Sequence, residues 1–453
     1  MNRRAGIIIP AAVLTFFCFA ALAFAEVNSE RADRAGERIP NQYIVVFKDS
    51  VTNVDAAEND LVSRVRGERL NSYRSALNGF AARFSEADLE AVKNDPRVAF
   101  VSADREVSIA DSVRAVRDDV RSLSRRSRGS PPPPEAEAKK SSPGTFSVQS
   151  LPTGIDRINA EAKANKGTGV HVAVIDTGIQ TNHSDLKNNI AGGKNCSSGS
   201  KSNYNDGNGH GTHVAGTIAA LDNGLGVVGV APEAKLWAVR VLNNAGSGTW
   251  SSVICGIDFV TSKAPANGGP ITVANMSLGG GGTSDNNCGN SNNDALHKAV
   301  CRARDAGVTI VVAAGNSGAD AAGFVPAAYD DAVITVSALA DSDGVEGGLG
   351  AGTSYGADDT FASFSNYGTV VDIGAPGVWI YSTWIKNGYK TISGTSMASP
   401  HVAGAAALYI ATHPGASWST VRDALVTSGE PLGSGHSDPG GKHPEPVLRA
   451  DTL

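Results

Sequence analysis

Three short stretches of this chain carry the residue types of nucleophilic catalysis, and each sits where an element begins or ends. In Gly394-Thr395-Ser396-Met397-Ala398-Ser399-Pro400-His401 a turn of small residues delivers one serine, then runs into an alanine-rich helical pattern over 402–410. A serine at a helix N-terminus lies among backbone amides and positive partial charge, which suits a hydroxyl whose attack creates an oxyanion. Upstream, Val172-Ala173-Val174-Ile175-Asp176-Thr177-Gly178 is an apolar strand pattern ending in a carboxylate, and His210-Gly211-Thr212-His213-Val214-Ala215-Gly216 is a histidine-bearing turn entering a helix. Serine is a poor nucleophile at neutral pH. It needs a base within hydrogen-bond reach and a group that holds that base in one tautomer. These roles are assigned to Ser396 as nucleophile, His213 as base and Asp176 as its orienting carboxylate, with activity expected to fall below about pH 6 as the base takes a proton.

The order along the chain is acid, histidine, serine. An esterase of the α/β-hydrolase type would run serine, acid, histidine, and the chymotrypsin type histidine, acid, serine, so both are disfavoured. The three stretches with their flanks resemble the subtilisin-like serine proteases, a resemblance that covers roughly residues 148–453. It implies an α/β three-layer sandwich with a mostly parallel sheet, and an endopeptidase that forms an acyl-enzyme on Ser396. In the family motif His210 is structural. A metal reading of the paired histidines lacks a third ligand at suitable spacing and the glutamate base of a zinc hydrolase.

The resemblance extends to the rest of the site. Ala313-Ala314-Gly315-Asn316-Ser317 resembles the segment whose asparagine side chain stabilises the oxyanion, together with the Ser396 amide. Ser277-Leu278-Gly279-Gly280 and Gly246-Ser247-Gly248 resemble the two segments between which an extended peptide lies as an added strand, glycine permitting the close approach. The walls that receive the residue before the cut are Ala313, Ala314 and Gly315 on one side and Ser277, Leu278 and Gly279 on the other. They carry no carboxylate, so protein and peptide substrates with broad, apolar or aromatic preference are expected; Phe324 is placed near the pocket floor. Structural calcium is expected too: Gln149, Asp185 and Asn223, with the carbonyls of Leu221, Leu225 and Val227, match the family's high-affinity site, an all-oxygen set suited to a hard cation. A weaker cation site is placed at Asp372 with carbonyls near Ala327, Tyr329 and Val333, although Asp330-Asp331-Ala332 carries one residue more than the family pattern.

Positioning these groups requires alternating elements. Strands are read over 170–175, 235–241, 271–276 and 309–313, and helices over 213–221, 251–261 and 292–306; near-continuous apolar strands between helices imply a parallel sheet covered on both faces. Ahead of them, 40–110 reads as a small α+β unit, with strands over 43–47, 79–84 and 98–101 and helices over 55–70 and 86–93. Asn41-Gln42-Tyr43-Ile44-Val45-Val46-Phe47, Leu77-Asn78-Gly79-Phe80-Ala81-Ala82 and Val98-Ala99-Phe100-Val101 resemble the inhibitory propeptide of the same family, which implies that the chain carries its own inhibitor. Residues 111–147 are basic, Ser-rich and Pro-rich and read as a flexible linker. Ala110 and the region near Ser147 are both candidate maturation cuts.

Residues 1–25 read as a signal peptide: Arg3 and Arg4, an apolar run over 7–24, and a small-x-small end at Ala23-Phe24-Ala25. Cys18 falls within it, leaving Cys196, Cys255, Cys288 and Cys301. An even number in an exported chain argues for two disulfides. Sequence permits three pairings, of which Cys196 with Cys255 and Cys288 with Cys301 are favoured. From residue 148 onward 17 Lys/Arg face 25 Asp/Glu, which offers no basic surface for nucleic acid. With no further apolar run long enough to span a bilayer, a secreted monomer without stable membrane association is expected.

Overall fold

The computed structural model describes residues 35–109, 148–161 and 163–453. The signal-peptide pattern, the linker over 111–147, Ala110 and Ser147 lie outside them. The first unit runs β1 (Arg38–Phe47), α1 (Val54–Arg64), β2 (Glu68–Tyr73), β3 (Gly79–Arg83), α2 (Glu86–Lys93) and β4 (Val98–Ser108). Its strands pair antiparallel in the order β2-β3-β1-β4. Because successive strand residues point to opposite faces, Tyr43, Val45 and Phe47 of β1 pack against Ala57 and Leu61 of α1, while Ile44 and Val46 join a different core.

Two expectations for this unit are corrected. The helix read over 55–70 stops at Arg64, since the chain turns with Arg66 at φ 50° and resumes as β2, which pairs with β3. Strand pairing overrides the local helical pattern there. The last strand extends to Ser108 and not merely to 101, because charged residues such as Asp104 and Arg105 mask a segment held by β1 on one edge.

The second unit continues with α3 (Thr153–Arg157), β5 (His171–Asp176), β6 (Ile190–Asn195), α4 (His210–Ala219), β7 (Lys235–Arg240), β8 (Ser247–Thr249), α5 (Trp250–Ser262), β9 (Ile271–Met276) and β10 (Gly280–Gly281). It then runs α6 (Ala295–Asp305), β11 (Thr309–Ala313), β12 (Phe324–Val325), β13 (Ile334–Ala340), β14 (Thr360–Phe361), β15 (Ile373–Pro376), β16 (Ile380–Trp384), β17 (Gly388–Ile392), α7 (Thr395–Thr412) and α8 (Trp418–Ser428). The main sheet has the order β14-β13-β11-β9-β5-β7-β6, with β15 beside β13, and every pair except β13 with β14 is parallel.

The three layers follow from the alternation within single strands. In β5, Val172 and Val174 join Val214, Ile218 and Val402 of α4 and α7, whereas Ala173 and Ile175 join Val253, Ile257 and Val300 of α5 and α6. The second core also takes Ile44, Val46, Tyr73, Leu77 and Val107 from the first unit, so the two units share one buried apolar layer. Cys196 pairs with Cys255, fastening the segment after β6 to α5, and Cys288 pairs with Cys301 of α6. Both are the favoured pairings.

Candidate active site

Asp176 is the last residue of β5 and is fully buried, so its carboxylate needs partners. It receives the Thr177 amide at 2.6 Å, and both its oxygens lie 2.9 Å from Nδ1 of His210. The sequence assignment is corrected here: His210, and not His213, is the histidine that Asp176 orients. His210 opens α4, and that helix start is pressed onto the end of β5. Gly209, at φ 116°, precedes it, and a Cβ there would strike the Trp384 ring at 2.3 Å. Asp206 holds the turn by accepting from the Asn208, Gly209 and Thr212 amides and from Thr212 Oγ1. The Gly211 amide donates to Thr177 Oγ1, and a Cβ on Gly211 would meet the Gly178 carbonyl at 2.2 Å.

His213 lies one turn further into α4, fully buried, with Nε2 shared between the carbonyls of Ile380 at 3.0 Å and Lys390 at 3.1 Å. Burial pushes its pKa down to about 3. It stays neutral and structural, so the expected loss of activity near pH 6 cannot come from its titration. The Nε2 of His210, on the side away from Asp176, is buried and has no hydrogen-bond partner among the described residues. A base nitrogen waiting for a proton fits that description.

Ser396 is the second residue of α7. Its Oγ lies 3.3 Å from the Ser277 carbonyl. Pro400 sits four residues on and has no N–H to return to the Ser396 carbonyl, and Ser277 Oγ supplies the missing donor at 2.9 Å. Asn275, buried in β9, steadies both partners by donating to Ser277 Oγ and accepting from Ser399 Oγ. Asn316 follows β11, and its Oδ1 accepts from Thr395 N at 2.7 Å and Thr395 Oγ1 at 2.8 Å. Asn316 lines a cavity together with Ser396, Ser277, Leu278 and Ala314. Gly279, Ala313, Gly315 and Phe324 line the same cavity.

The end of the first unit reaches into this cavity. Glu106, Val107 and Ser108 of β4 pair antiparallel with Thr249, Gly248 and Ser247 of β8. Ser108 exchanges hydrogen bonds with Gly279 on its other edge, and the Ile109 amide donates to the Gly246 carbonyl at 3.0 Å. Ser108 and Ile109 are therefore threaded between the two segments read as substrate-binding, and both line the cavity with Ser396. Away from the cleft, Asp258 of α5 accepts from the amides of Arg74, Ser75 and Ala76 at 2.7–2.9 Å. Asp104 accepts from the Ser251 amide at the start of the same helix, and Tyr73 donates to the Ser251 carbonyl.

The expected calcium residues converge. Gln149 Oε1 receives the amides of Asn223 and Gly224, Asp185 Oδ1 receives Asn223 Nδ2, and Asp185 Oδ2 receives the Val227 amide. Leu221 donates its amide to the Asp185 carbonyl, and Leu225 is bridged to Val148. Among the described residues Asp185 has no cationic partner, and burial pushes its carboxyl up to about 6. A carboxylate desolvated without a counter-charge fits a cation. Asp372 is different, and the second cation site is corrected. The Arg422 guanidinium lies 3.6 Å from its carboxylate and also bonds Asp330, while the Ala327 carbonyl is taken by Thr335 Oγ1 and that of Tyr329 by the amides of Ala332 and Val333.

The sequence reading missed Asp206, Asn275 and Thr395 as supports. The run Asp206-Gly207-Asn208-Gly209 before a helix is a capping signal that could have marked the start of α4 at 210.

The model of the subtilase family matches residues 167–440, and that of the I9 peptidase inhibitors matches residues 42–110. The chain belongs to the subtilase family. It is 44% identical to subtilisin DY of Bacillus licheniformis over 293 residues, covering 63% of this chain and 94% of that protein. To subtilisin E of Bacillus subtilis strain 168 it is 34% identical over 420 residues, covering 91% of each. Among solved structures, a cold adapted subtilisin-like serine proteinase superposes with a TM-score of 0.54 at 37% identity, over 66% of this chain and 97% of that one. This subtilase is thus a serine endopeptidase preceded by an inhibitory propeptide domain. Among its described residues no helix is long and apolar enough to cross a membrane.

Proposed function

We propose that this subtilase cleaves peptide bonds with Ser396 as nucleophile, His210 as base and Asp176 as the carboxylate that fixes the imidazole. The observation that carries the reading is Asp176 bonded to His210 Nδ1 while His210 Nε2 is buried without a hydrogen-bond partner among the described residues. In the reaction Nε2 takes the Ser396 proton as Oγ attacks the carbonyl carbon. Asn316 and the Ser396 amide hold the oxyanion. The same Nε2 then gives its proton to the departing amine, and water repeats the sequence to release the acyl group. Asp176 orients and stabilises the imidazolium. Replacing Ser396 by Ala should leave full-length precursor and abolish labelling by a fluorophosphonate; precursor that matures normally in a protease-deficient host would refute self-processing.

Substrates lie as a strand between Gly246, Ser247 and Gly248 on one edge and Ser277, Leu278 and Gly279 on the other, as β4 does. The small and apolar walls favour an apolar or aromatic residue before the cut. Since Ile109 already lines the cavity of Ser396, the first maturation cut follows Ala110 and not Ser147. N-terminal sequencing of processed protein checks it. Loss of Asn316 as Asn316→Ala should lower turnover about 10²–10³-fold, a magnitude that belongs to subtilisin. Asp185, Asn223 and Gln149, with carbonyls of the 221–227 loop, hold a calcium ion whose role is to stabilise the fold. The protein works outside the cell as a monomer, delivered there by residues 1–25.

The cut propeptide remains as a product inhibitor. Made separately, residues 40–110 should inhibit the mature enzyme. Asp258→Ala, which removes the acceptor for three amides of that domain, should weaken this inhibition about 10–10²-fold; unchanged inhibition would mean the contact contributes nothing.

A further inference from the structure

The segment joining β13 to β14 is a glycine-rich excursion that the catalytic site does not use. Two carboxylates shape it from its far end. Asp358 accepts from the Ser342 and Gly350 amides, and Asp359 accepts from the Gly347 and Gly348 amides. The approach at Gly350 is close, since a Cβ there would lie 2.4 Å from Ser342 Oγ and 2.7 Å from Asp358 Oδ2. Inside this fold the carboxylates of Asp341, Asp343 and Asp358 each bring an oxygen within 4.8 Å of the others.

Like charges at that spacing repel unless something compensates them. The nearby guanidinium of Arg157 bonds Asp359 at 2.7 Å and Glu430 at 3.1 Å, while its Nη1 has no partner among the described residues and makes no hydrogen bond to the three carboxylates. Asp341 is 1% exposed; its Oδ1 accepts from the Gly344 amide, but Oδ2 is buried and has no hydrogen-bond partner among the described residues. A buried carboxylate oxygen with no donor is costly. With two further carboxylates beside it, that oxygen lies where a cation would compensate the charge.

We propose that this loop is a hard-cation site, separate from the one at Asp185, in which a calcium ion is held by the carboxylates of Asp341, Asp343 and Asp358. The donors are all oxygen, which selects calcium over zinc or copper. Asp341 and Asp358 are buried and Asp343 is exposed, so the ion enters from the Asp343 side and closes the loop over the end of β13. Its role is to hold residues 341–359 in one conformation. It touches no reacting group.

The test counts bound calcium on the full chain, produced as the Ser396→Ala precursor so that it stays intact, by equilibrium dialysis against calcium followed by elemental analysis. A background of Asp185→Ala with Asn223→Ala removes the other site. There, calcium should still bind, with affinity on the order of 10⁻⁴ M or tighter, and Asp343→Asn should weaken it at least about tenfold. Asp343 is exposed, so this change does not threaten folding. Should the background variant fail to fold, Asp343→Asn and Asp341→Asn in the otherwise intact precursor must each leave one calcium fewer per chain. A second readout is chymotrypsin cleavage at exposed Leu349, which calcium should slow at least about tenfold through loop closure and which Asp343→Asn should make calcium-insensitive. Zero calcium on the background variant, or the same count and the same cleavage with and without Asp343, would overturn the proposal.

Discussion

His210 and His213 stand three residues apart on one helix, in one motif, and the fold treats them in opposite ways. The first meets the Asp176 carboxylate at the end of β5, and its second nitrogen has no hydrogen bond among the described residues. The second points into the layer beneath β16 and β17, where its Nε2 meets two carbonyls and its buried Nδ1 has no acidic partner and no hydrogen bond among the described residues. A residue's chemistry is decided by what neighbouring elements bring to it, since i and i+3 on a helix are near in space yet differ in direction enough to face different partners. An acidic partner makes a base. Carbonyl partners make a bolt.

The sharpest way to break this comparison is to remove each ring in turn. His210→Ala should cut turnover by about 10⁶, the scale seen when the subtilisin histidine is lost. His213→Asn should leave turnover of the folded fraction within about tenfold while lowering the midpoint of thermal unfolding. Rates normalised by active-site titration separate the two effects. A folded His213→Asn enzyme as dead as His210→Ala would reverse the assignment.

The same contrast shows what was legible in the sequence. The parallel sheet, the ends of β5 and β11, and Ser396 at a helix start were readable because apolar runs of strand length and small-residue turns are local signals. Asp206 and Thr177, which press the start of α4 onto Asp176, act across a turn and between elements. Choosing between two histidines needs those contacts, and a helix start misplaced by three residues moved the base by one turn. β2 was hidden for a related reason, since its pairing with β3 is not written in residues 68–73 alone.

A second pair sharpens the comparison with a smaller effect. Asp185, which is buried, and Asp372, whose side chain is 12% exposed, are both carboxylates expected to bind a cation, but only Asp372 has an arginine at 3.6 Å. A calcium ion at 100 times its dissociation constant adds about 2.7 kcal/mol to the folded state, which for a catalytic domain of about 300 residues corresponds to an unfolding midpoint raised by roughly 4 °C. Chelation should produce that loss in the wild type. Asp185→Ala with Asn223→Ala should shrink it, leaving only the contribution of the 341–359 loop, and Asp372→Asn should leave it unchanged. Differential scanning calorimetry with and without chelator reads all three. A chelator effect abolished by Asp372→Asn would place the ion beside Arg422 instead.

The smallest expected effect concerns acid. Burial holds His213 down at about 3 and His401 at about 4, whereas an unfolded histidine titrates near 6.5. A group whose folded pKa is depressed gives stability that is fully present above the unfolded value. That stability is lost as pH falls, because the unfolded chain takes the proton first. Each ring therefore contributes a slope of up to about 1.4 kcal/mol per pH unit below 6.5, continuing towards its own folded pKa. Between pH 6 and 5, replacing His213 by Asn should flatten the stability profile by about 1 kcal/mol, whatever constant amount the lost carbonyl contacts subtract at every pH. Urea unfolding of the Ser396→Ala precursor at several pH values measures the slope without self-digestion. If His213→Asn leaves the slope unchanged, then His213 takes up its proton in the fold as readily as in the unfolded chain, and the division of labour along α4 would have to be redrawn.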